Sequence, residues 1–270
     1  MSEPRILVTN DDGIESPGFR ALYEALEEVG DPVAVAPYSN QSAVGRARSF
    51  EATVHDYDLG YAVEGTPVDC VIAGLEALCP DADMVVAGCN KGANLGSYVM
   101  GRSGTVSAAV EATFFDVPAI AVSQYVPTND DEEFEHVTPP KEAYKDACDA
   151  AAYLVDAATG DGDVFAEADY LNVNAPAPDD SLARPPMRIT EPSPLYAMSA
   201  KFDGEEIRLE DNVWQRMQNG DIPDEEGTDR RAVVDGEISV SPLTAPHTVE
   251  RHERLDDLAA AYTGDRATQL

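Results

Sequence analysis

Four short stretches of this chain carry residue types able to do chemistry together. The first is Asn10-Asp11-Asp12-Gly13. Adjacent carboxylates repel unless a cation or a basic group neutralises them. The pair therefore reads either as a hard divalent-metal site of the Mg2+ or Mn2+ type, or as a solvated Asp-Gly turn. The second stretch, Ser39-Asn40-Gln41-Ser42, offers hydroxyl and amide oxygens that could complete such a shell, and is otherwise a polar loop. The third is Gly88-Cys89-Asn90-Lys91-Gly92-Ala93-Asn94-Leu95-Gly96. Its glycines allow close backbone approach to a ligand. Asn90 could ligate a metal through its amide oxygen, Asn94 could donate to phosphate, and Lys91 is one of only four lysines. A purely structural glycine loop is the alternative. The fourth, Gly101-Arg102-Ser103-Gly104-Thr105-Val106, opens a helix. Ser103 suits the N-cap, and free N–H groups with the hydroxyls of Ser103 and Thr105 make an anion site, unless the serine only caps. Together the four describe a metal beside a phosphate pocket, hence a metal-dependent phosphohydrolase. A dinucleotide site is disfavoured, because no G-x-G-x-x-G follows the first strand.

The elements that must position these residues alternate in type. Apolar runs at 6–9, 33–36, 84–87 and 118–122 are short and bounded by turn residues, as buried strands are. Helical spacing marks 17–29, where Phe19, Leu22, Tyr23, Leu26 and Val29 share a face, and also 67–78, 103–115 and 138–158. A hairpin around Gly60 is expected within 51–64, and loops at 38–49, 88–101 and 128–135. Repeated βα units with apolar strands give an α/β protein, a mostly parallel sheet flanked by helices. Ligands of such a sheet sit at the carboxyl ends of its strands, where all four stretches fall. Further strands are expected at 170–173 and 238–241, a β-rich C-terminal elaboration over about 185–225, and a terminal helix over about 253–263. The reading is one domain over 1–270, its core about 1–180 and 230–245.

The chain has 270 residues and a formal charge of −33, from 51 acidic against 18 basic side chains. Hydrophobic residues make up 43%, enough for a core, so the acidity does not mark disorder. It argues against nucleic acid or an anionic membrane as partner, since both require a basic face. Acidic residues spread along the chain with few lysines suit a halophile, whose salt screens the self-repulsion. Cys70, Cys79, Cys89 and Cys148 form no C-x-x-C pair and are expected to be free thiols in a reducing compartment. The opening Met-Ser-Glu-Pro-Arg leads straight into a strand-like run, and no apolar stretch approaches the roughly 18 residues of a membrane span. A cytoplasmic protein is expected.

Residues 6–22, I-L-V-T-N-D-D-G-I-E-S-P-G-F-R-A-L, resemble the N-terminal signature of the SurE family of 5′-nucleotidases. The resemblance continues in order through Ala36-Pro37 with Asn40-Gln41-Ser42, Gly65-Thr66-Pro67-Val68-Asp69-Cys70, the 88–96 loop, Ser103-Gly104-Thr105-Val106, Gly227-Thr228-Asp229 and Ser241-Pro242-Leu243. It implies a Rossmann-like core and a divalent-metal phosphomonoesterase acting on nucleoside 5′-monophosphates. It implies one Mg2+ or Mn2+ per subunit on Asp11, Asp12, Ser42 and Asn90. In the metal-assisted hydrolysis expected of such a site, one of the two aspartates takes the proton of the attacking water, and the sequence does not say which. The resemblance places Asn94, Ser103, Gly104 and Thr105 at the phosphate. It also implies a homodimer or homotetramer whose β-rich part exchanges elements between subunits. Two departures stand out. Arg46 and Arg48 lie where the family carries a Ser/Thr-rich stretch, and Lys91 lies where it often has a small or apolar residue; Arg46 and Lys91 are candidate substrate contacts. Arg102 is a further base near the expected anion entrance. Base preference, 5′ against 3′ selectivity and activity on short polyphosphate are left open by the sequence.

Two rivals come from other classes. A signalling receiver domain also pairs acidic residues after its first strand, but is about half this length and needs an acceptor Asp at a later strand end, where this chain has Ser42, Cys89 and Asn90. A non-catalytic nucleotide-binding protein would bind AMP without releasing phosphate.

Overall fold

The structure, a computed structural model, describes residues 3–127, 134–160, 163–178, 184–245 and 253–264. In chain order, the first elements are β1 (Arg5–Thr9), α1 (Pro17–Leu26), β2 (Asp31–Pro37), β3 (Val54–Tyr57), β4 (Gly60–Val63) and α2 (Pro67–Ala73). Next come β5 (Met84–Lys91), α3 (Ser97–Met100), α4 (Gly104–Thr113), β6 (Ala119–Gln124), α5 (Lys145–Thr159) and β7 (Tyr170–Ala175). The last part holds β8 (Met187–Ile189), β9 (Met198–Phe202), β10 (Ile207–Asp211), α6 (Val213–Gln218), α7 (Asp229–Val234), β11 (Ile238–Leu243) and α8 (Glu253–Gly264).

Nine strands form one sheet in the order β3-β4-β2-β1-β5-β6-β7-β11-β8, while β9 and β10 pair as a separate antiparallel ribbon. Strands β4, β2, β1, β5, β6 and β7 run parallel; β3 and β11 enter antiparallel to their neighbours β4 and β7. The chain leaves β1 toward β2 on one side and later returns to place β5 on the other. The strand order therefore reverses between β1 and β5, and a crevice opens at their carboxyl ends.

Side-chain alternation in the strands sorts the core into two layers. Ile6 and Val8 pack with Phe19, Leu22 and Leu26 of α1 and with Leu154 and Val155 of α5. Leu7, Val85 and Ala87 face the other way, onto Cys70 and Val71 of α2 and Val106, Ala109 and Ala112 of α4. Each fully buried large apolar side chain contributes about 1.5–3 kcal/mol. The run of small residues in α4 lets that helix lie close to the sheet. Helix starts obey local rules: Ser16 accepts from the Phe19 amide, and Ser103 accepts from the Val106 amide at 3.1 Å.

Several expectations shift. The helix expected from 138 begins at Lys145. Pro139-Pro140 disfavours helical geometry before it, and a 3-10 turn, Lys141–Tyr144, leads in. The loop expected over 88–101 is shorter, because β5 continues past a register shift to pair Asn90 with Ser123 and Lys91 with Gln124, and α3 occupies its end. The hairpin turns at Asp58-Leu59, with Tyr57 already opposite Gly60. The helix expected over 67–78 is α2 followed by a π-helical turn, Gly74–Leu78. The C-terminal excursion is not purely β, since α6 interrupts it. Most of the acidic loop expected at 128–135 lies outside the described residues. Among the described residues no helix is long and apolar enough to cross a membrane.

Candidate active site at the β1 and β5 strand ends

The crevice is a cavity of about 420 Å3, lined on one side by Asp11, Ser42, Asn90, Asn94 and Ser103. Asp11 is buried, with 3% of its surface exposed. Both of its carboxylate oxygens are held: the Thr105 hydroxyl donates to Oδ1 at 2.5 Å and the Thr105 amide to Oδ2 at 3.2 Å. Gly104 makes this approach possible, because a Cβ there would lie 2.8 Å from the Asp11 Cβ. Burial pushes the Asp11 carboxyl pKa up, and the Thr105 hydrogen bonds pull it back. Asp12 is fixed from the next strand by the Lys91 amide, which donates to Oδ2 at 2.7 Å. Burial, and then repulsion from Asp11, raise its pKa to about 6.

The Lys91 ammonium forms no salt bridge with the pair, although its charge pulls the Asp12 pKa down against the larger effects of burial and Asp11. It donates to the carbonyls of Phe134 and Val137, both at 3.1 Å, and sits 4.7 Å from the Phe134 ring centroid. Asp11, buried, and Asp12, half-buried, are thus like charges lacking a salt-bridge partner among the described residues. Asn90 turns its Nδ2 to the Gly92 carbonyl at 2.6 Å, leaving its Oδ1 as the amide's acceptor. Ser42, its amide held by the Asn40 side chain at 2.8 Å, is an exposed hydroxyl on the cavity wall. Two carboxylates, one hydroxyl and one amide oxygen form an all-oxygen donor set of the kind hard divalent cations take. Among the described residues no group of three or more His, Cys, Asp or Glu suited to a metal is found, so a cation here would depend on the neutral oxygens.

Beside Asp11 lies the start of α4, where Ser103 keeps its hydroxyl hydrogen while its oxygen accepts from Val106. Asn94 is nearly buried and tightly held. Its amide N–H donates to Asn174 Oδ1 at 2.7 Å, its carbonyl accepts from Asn172 at 2.9 Å, and its Nδ2 donates to Ser123 at 3.0 Å.

Comparison with known proteins fits this geometry. A family model described as "Survival protein SurE" matches residues 6–194, which include every proposed metal and phosphate residue. The chain belongs to the SurE family. A protein named 5′-nucleotidase SurE from Haloarcula marismortui is 61% identical over 265 residues, 98% of this chain and 97% of its own length. The namesake from Natronomonas pharaonis is 61% identical over 257 residues, 95% of this chain and 99% of its own. Both relatives come from halophilic archaea. The crystal structure of SurE from Aquifex aeolicus superposes with a TM-score of 0.71 at 30% identity, covering 97% of this chain and all of that one.

Within this SurE-family fold the expected site residues separate. Asp11, Ser42, Asn90, Lys91, Asn94, Arg102 and Ser103 line the cavity, and Asp12 abuts it through the Lys91 amide. Thr105 and Gly104 instead support Asp11 from behind. Arg46 lies elsewhere, paired with Glu111 at 2.6 Å and stacked over Phe114. Arg48 lies over Phe50. Arg102 stacks over Tyr98 at the rim.

Other contributors were given no role from the sequence. Asn172 and Asn174 clamp Asn94; two amides in an otherwise apolar strand, Tyr170–Ala175, were a readable signal. Asp229 of the Gly-Thr-Asp motif accepts from the Gly96 amide at 2.6 Å and the Ser193 amide at 2.9 Å, tying the glycine loop to the C-terminal part. Arg230, fully buried beside it, fills the space left by Gly96, where a Cβ would come within 2.0 Å of Nη2. Tyr125, Phe134 and Trp214 also line the cavity. Nothing in the spacing of these three marks them as partners.

Proposed function

We propose that this chain is a 5′-nucleotidase, a divalent-metal phosphomonoesterase that hydrolyses nucleoside 5′-monophosphates to nucleoside and phosphate. The observation that carries this reading is the aspartate pair at the sheet's switch point, with no salt-bridge partner among the described residues, opening onto the same cavity as the N-terminus of α4. The relatives' shared name, 5′-nucleotidase SurE, supports it.

Asp11, Asp12, Ser42 and Asn90 would hold one Mg2+ or Mn2+, which when bound supplies charge neutralisation at the phosphoryl group and acidifies water. The rest is work for the chain's own groups. The Ser103 hydroxyl, at the positive end of α4, binds an equatorial phosphate oxygen. Asn94, immobilised by Asn172, Asn174 and Ser123, presents its remaining amide hydrogen there. Thr105 keeps Asp11 in place. Asp12 has one oxygen, Oδ1, not held by the Lys91 amide, and accepts the proton of the attacking water on it. A homodimer or homotetramer fits the exposed apolar residues of the β9–β10 ribbon, Phe202, Ile207 and Leu209 at 68%, 64% and 69% exposure.

The test is phosphate release from chelator-stripped protein in concentrated KCl, with single metals restored, on AMP, 3′-AMP, tripolyphosphate and p-nitrophenyl phosphate. Metal-restored release from AMP is expected. Binding of AMP with no phosphate released under any metal would overturn the reading in favour of a nucleotide-binding protein.

A further inference from the structure

We propose that the nucleobase of the substrate is held by stacking against an aromatic wall of Tyr125, Phe134 and Trp214, with the base read by its π-face and area rather than its edges. This rests on the nucleotidase reading of the same cavity and names what its aromatic lining binds.

The cavity lining holds two chemically different sets of residues. One is the oxygen-rich set Asp11, Ser42, Asn90 and Ser103; the other is the apolar and aromatic set Val99, Tyr125, Val126, Phe134 and Trp214. Phosphate alone gives no reason for the second set. A nucleoside monophosphate does, being a dianion at one end and a flat, neutral aromatic at the other. A volume of about 420 Å3 suits a ligand of that size. Among the described residues Asp11 is the one carboxylate that lines the cavity.

The wall is held rigidly. The Tyr125 and Trp214 rings are near-parallel, 20° apart with centroids 6.5 Å from each other. Tyr125 is anchored in a cluster with Leu95, Met217, Ile222 and Val233, and Trp214 packs against that cluster. The buried Val213 and Met217 fix the short helix α6 that carries Trp214. Phe134 sits on Gly92, whose φ is +101° and where a Cβ would lie 2.7 Å from the ring. Lys91 pins the Phe134 and Val137 carbonyls from the other side. Trp214 also lies beyond residues 6–194, the part matching the family model, so the C-terminal excursion supplies part of the substrate site.

Trp214 is the only tryptophan in the chain, so its fluorescence, excited at wavelengths where purines do not absorb, reports the wall directly. Adenosine, which carries no phosphate to hydrolyse, should quench it saturably. Uridine should do so more weakly, and ribose 5-phosphate and inorganic phosphate should not. In kinetics, Trp214→Ala should lower the ratio of kcat/KM for AMP to that for ribose 5-phosphate on the order of ten-fold. Trp214→Phe should restore most of it, which a general folding defect would not. Absence of quenching by adenosine in protein that still releases phosphate from AMP overturns the wall and leaves the nucleotidase reading standing. So does an unchanged ratio in Trp214→Ala. Quenching by adenosine in protein that hydrolyses nothing keeps the wall and overturns the nucleotidase.

Discussion

Replacing Asp12 with Asn should stabilise the metal-free protein while abolishing its function. The Asp12 carboxyl is held at about 6 against an ordinary 3.8, first by burial and then by Asp11. The folded state therefore holds this proton more tightly than the unfolded chain does, and ionisation works against folding. That cost is absent below pH about 4, grows between about 4 and 6, and is complete above. At about 1.4 kcal/mol per pH unit it amounts to roughly 3 kcal/mol. Asn keeps an oxygen for the Lys91 amide and removes the charge. At pH 8 in chelator the variant should melt roughly 4–10 °C above the parent, and at pH 4 the two should coincide. With Mn2+ the order reverses, because ligand binding stabilises only the parent. Turnover on AMP should fall by at least the roughly 10–100-fold that loss of an outer-shell partner costs a metal site. Melting curves with and without metal, at both pH values and fixed KCl, read all of this. A variant less stable than the parent in chelator at pH 8, or one keeping near-parental turnover in saturating Mn2+, would refute the account of the aspartate pair.

Thr105→Val removes the 2.5 Å hydrogen bond to Asp11 at nearly constant volume; it should cost about 1–3 kcal/mol of stability and weaken Mn2+ binding about 10–100-fold by titration, and unchanged metal affinity would deny Thr105 its supporting role. Arg46→Ala breaks a surface pair with Glu111 and an exposed stack over Phe114, so stability should change by only about 1 kcal/mol and the KM for AMP should hardly move; a marked rise in KM would return Arg46 to the substrate. With a net charge of −33, the melting temperature should fall as KCl is lowered from multimolar, where charges are screened within about 3 Å, to 0.1 M. A melt indifferent to salt would mean that self-repulsion is already balanced within the fold.

Much of the site could be read from residue order because its parts lie at strand ends, and strand ends are marked locally. An apolar run of four residues that meets Asn10-Asp11-Asp12-Gly13 announces both a buried strand and what it delivers. Ser103 before an alanine-rich helix announces a capped N-terminus. The expectation for Arg46 rested on its charge and its place shortly after Ser42, and a long cation finds whichever carboxylate is nearest, here Glu111 on α4. The loop expected after β5 was too long because glycines suggested irregular backbone, whereas Asn90 and Lys91 still pair with β6.

The sequence by itself determined the alternating α/β architecture and the acidic composition, since each follows from residue counts or from a period of two or 3.6 residues. Tertiary structure alone decided which side chains meet. It turned Thr105 onto Asp11, drew Asn172 and Asn174 across from β7 to clamp Asn94, and brought Trp214 to a cavity begun at residue 11. A side chain's period fixes which face of its own element it leaves from. Only the crossover of the chain at β1 and β5, and the return of its C-terminal part over that crevice, fix what lies opposite.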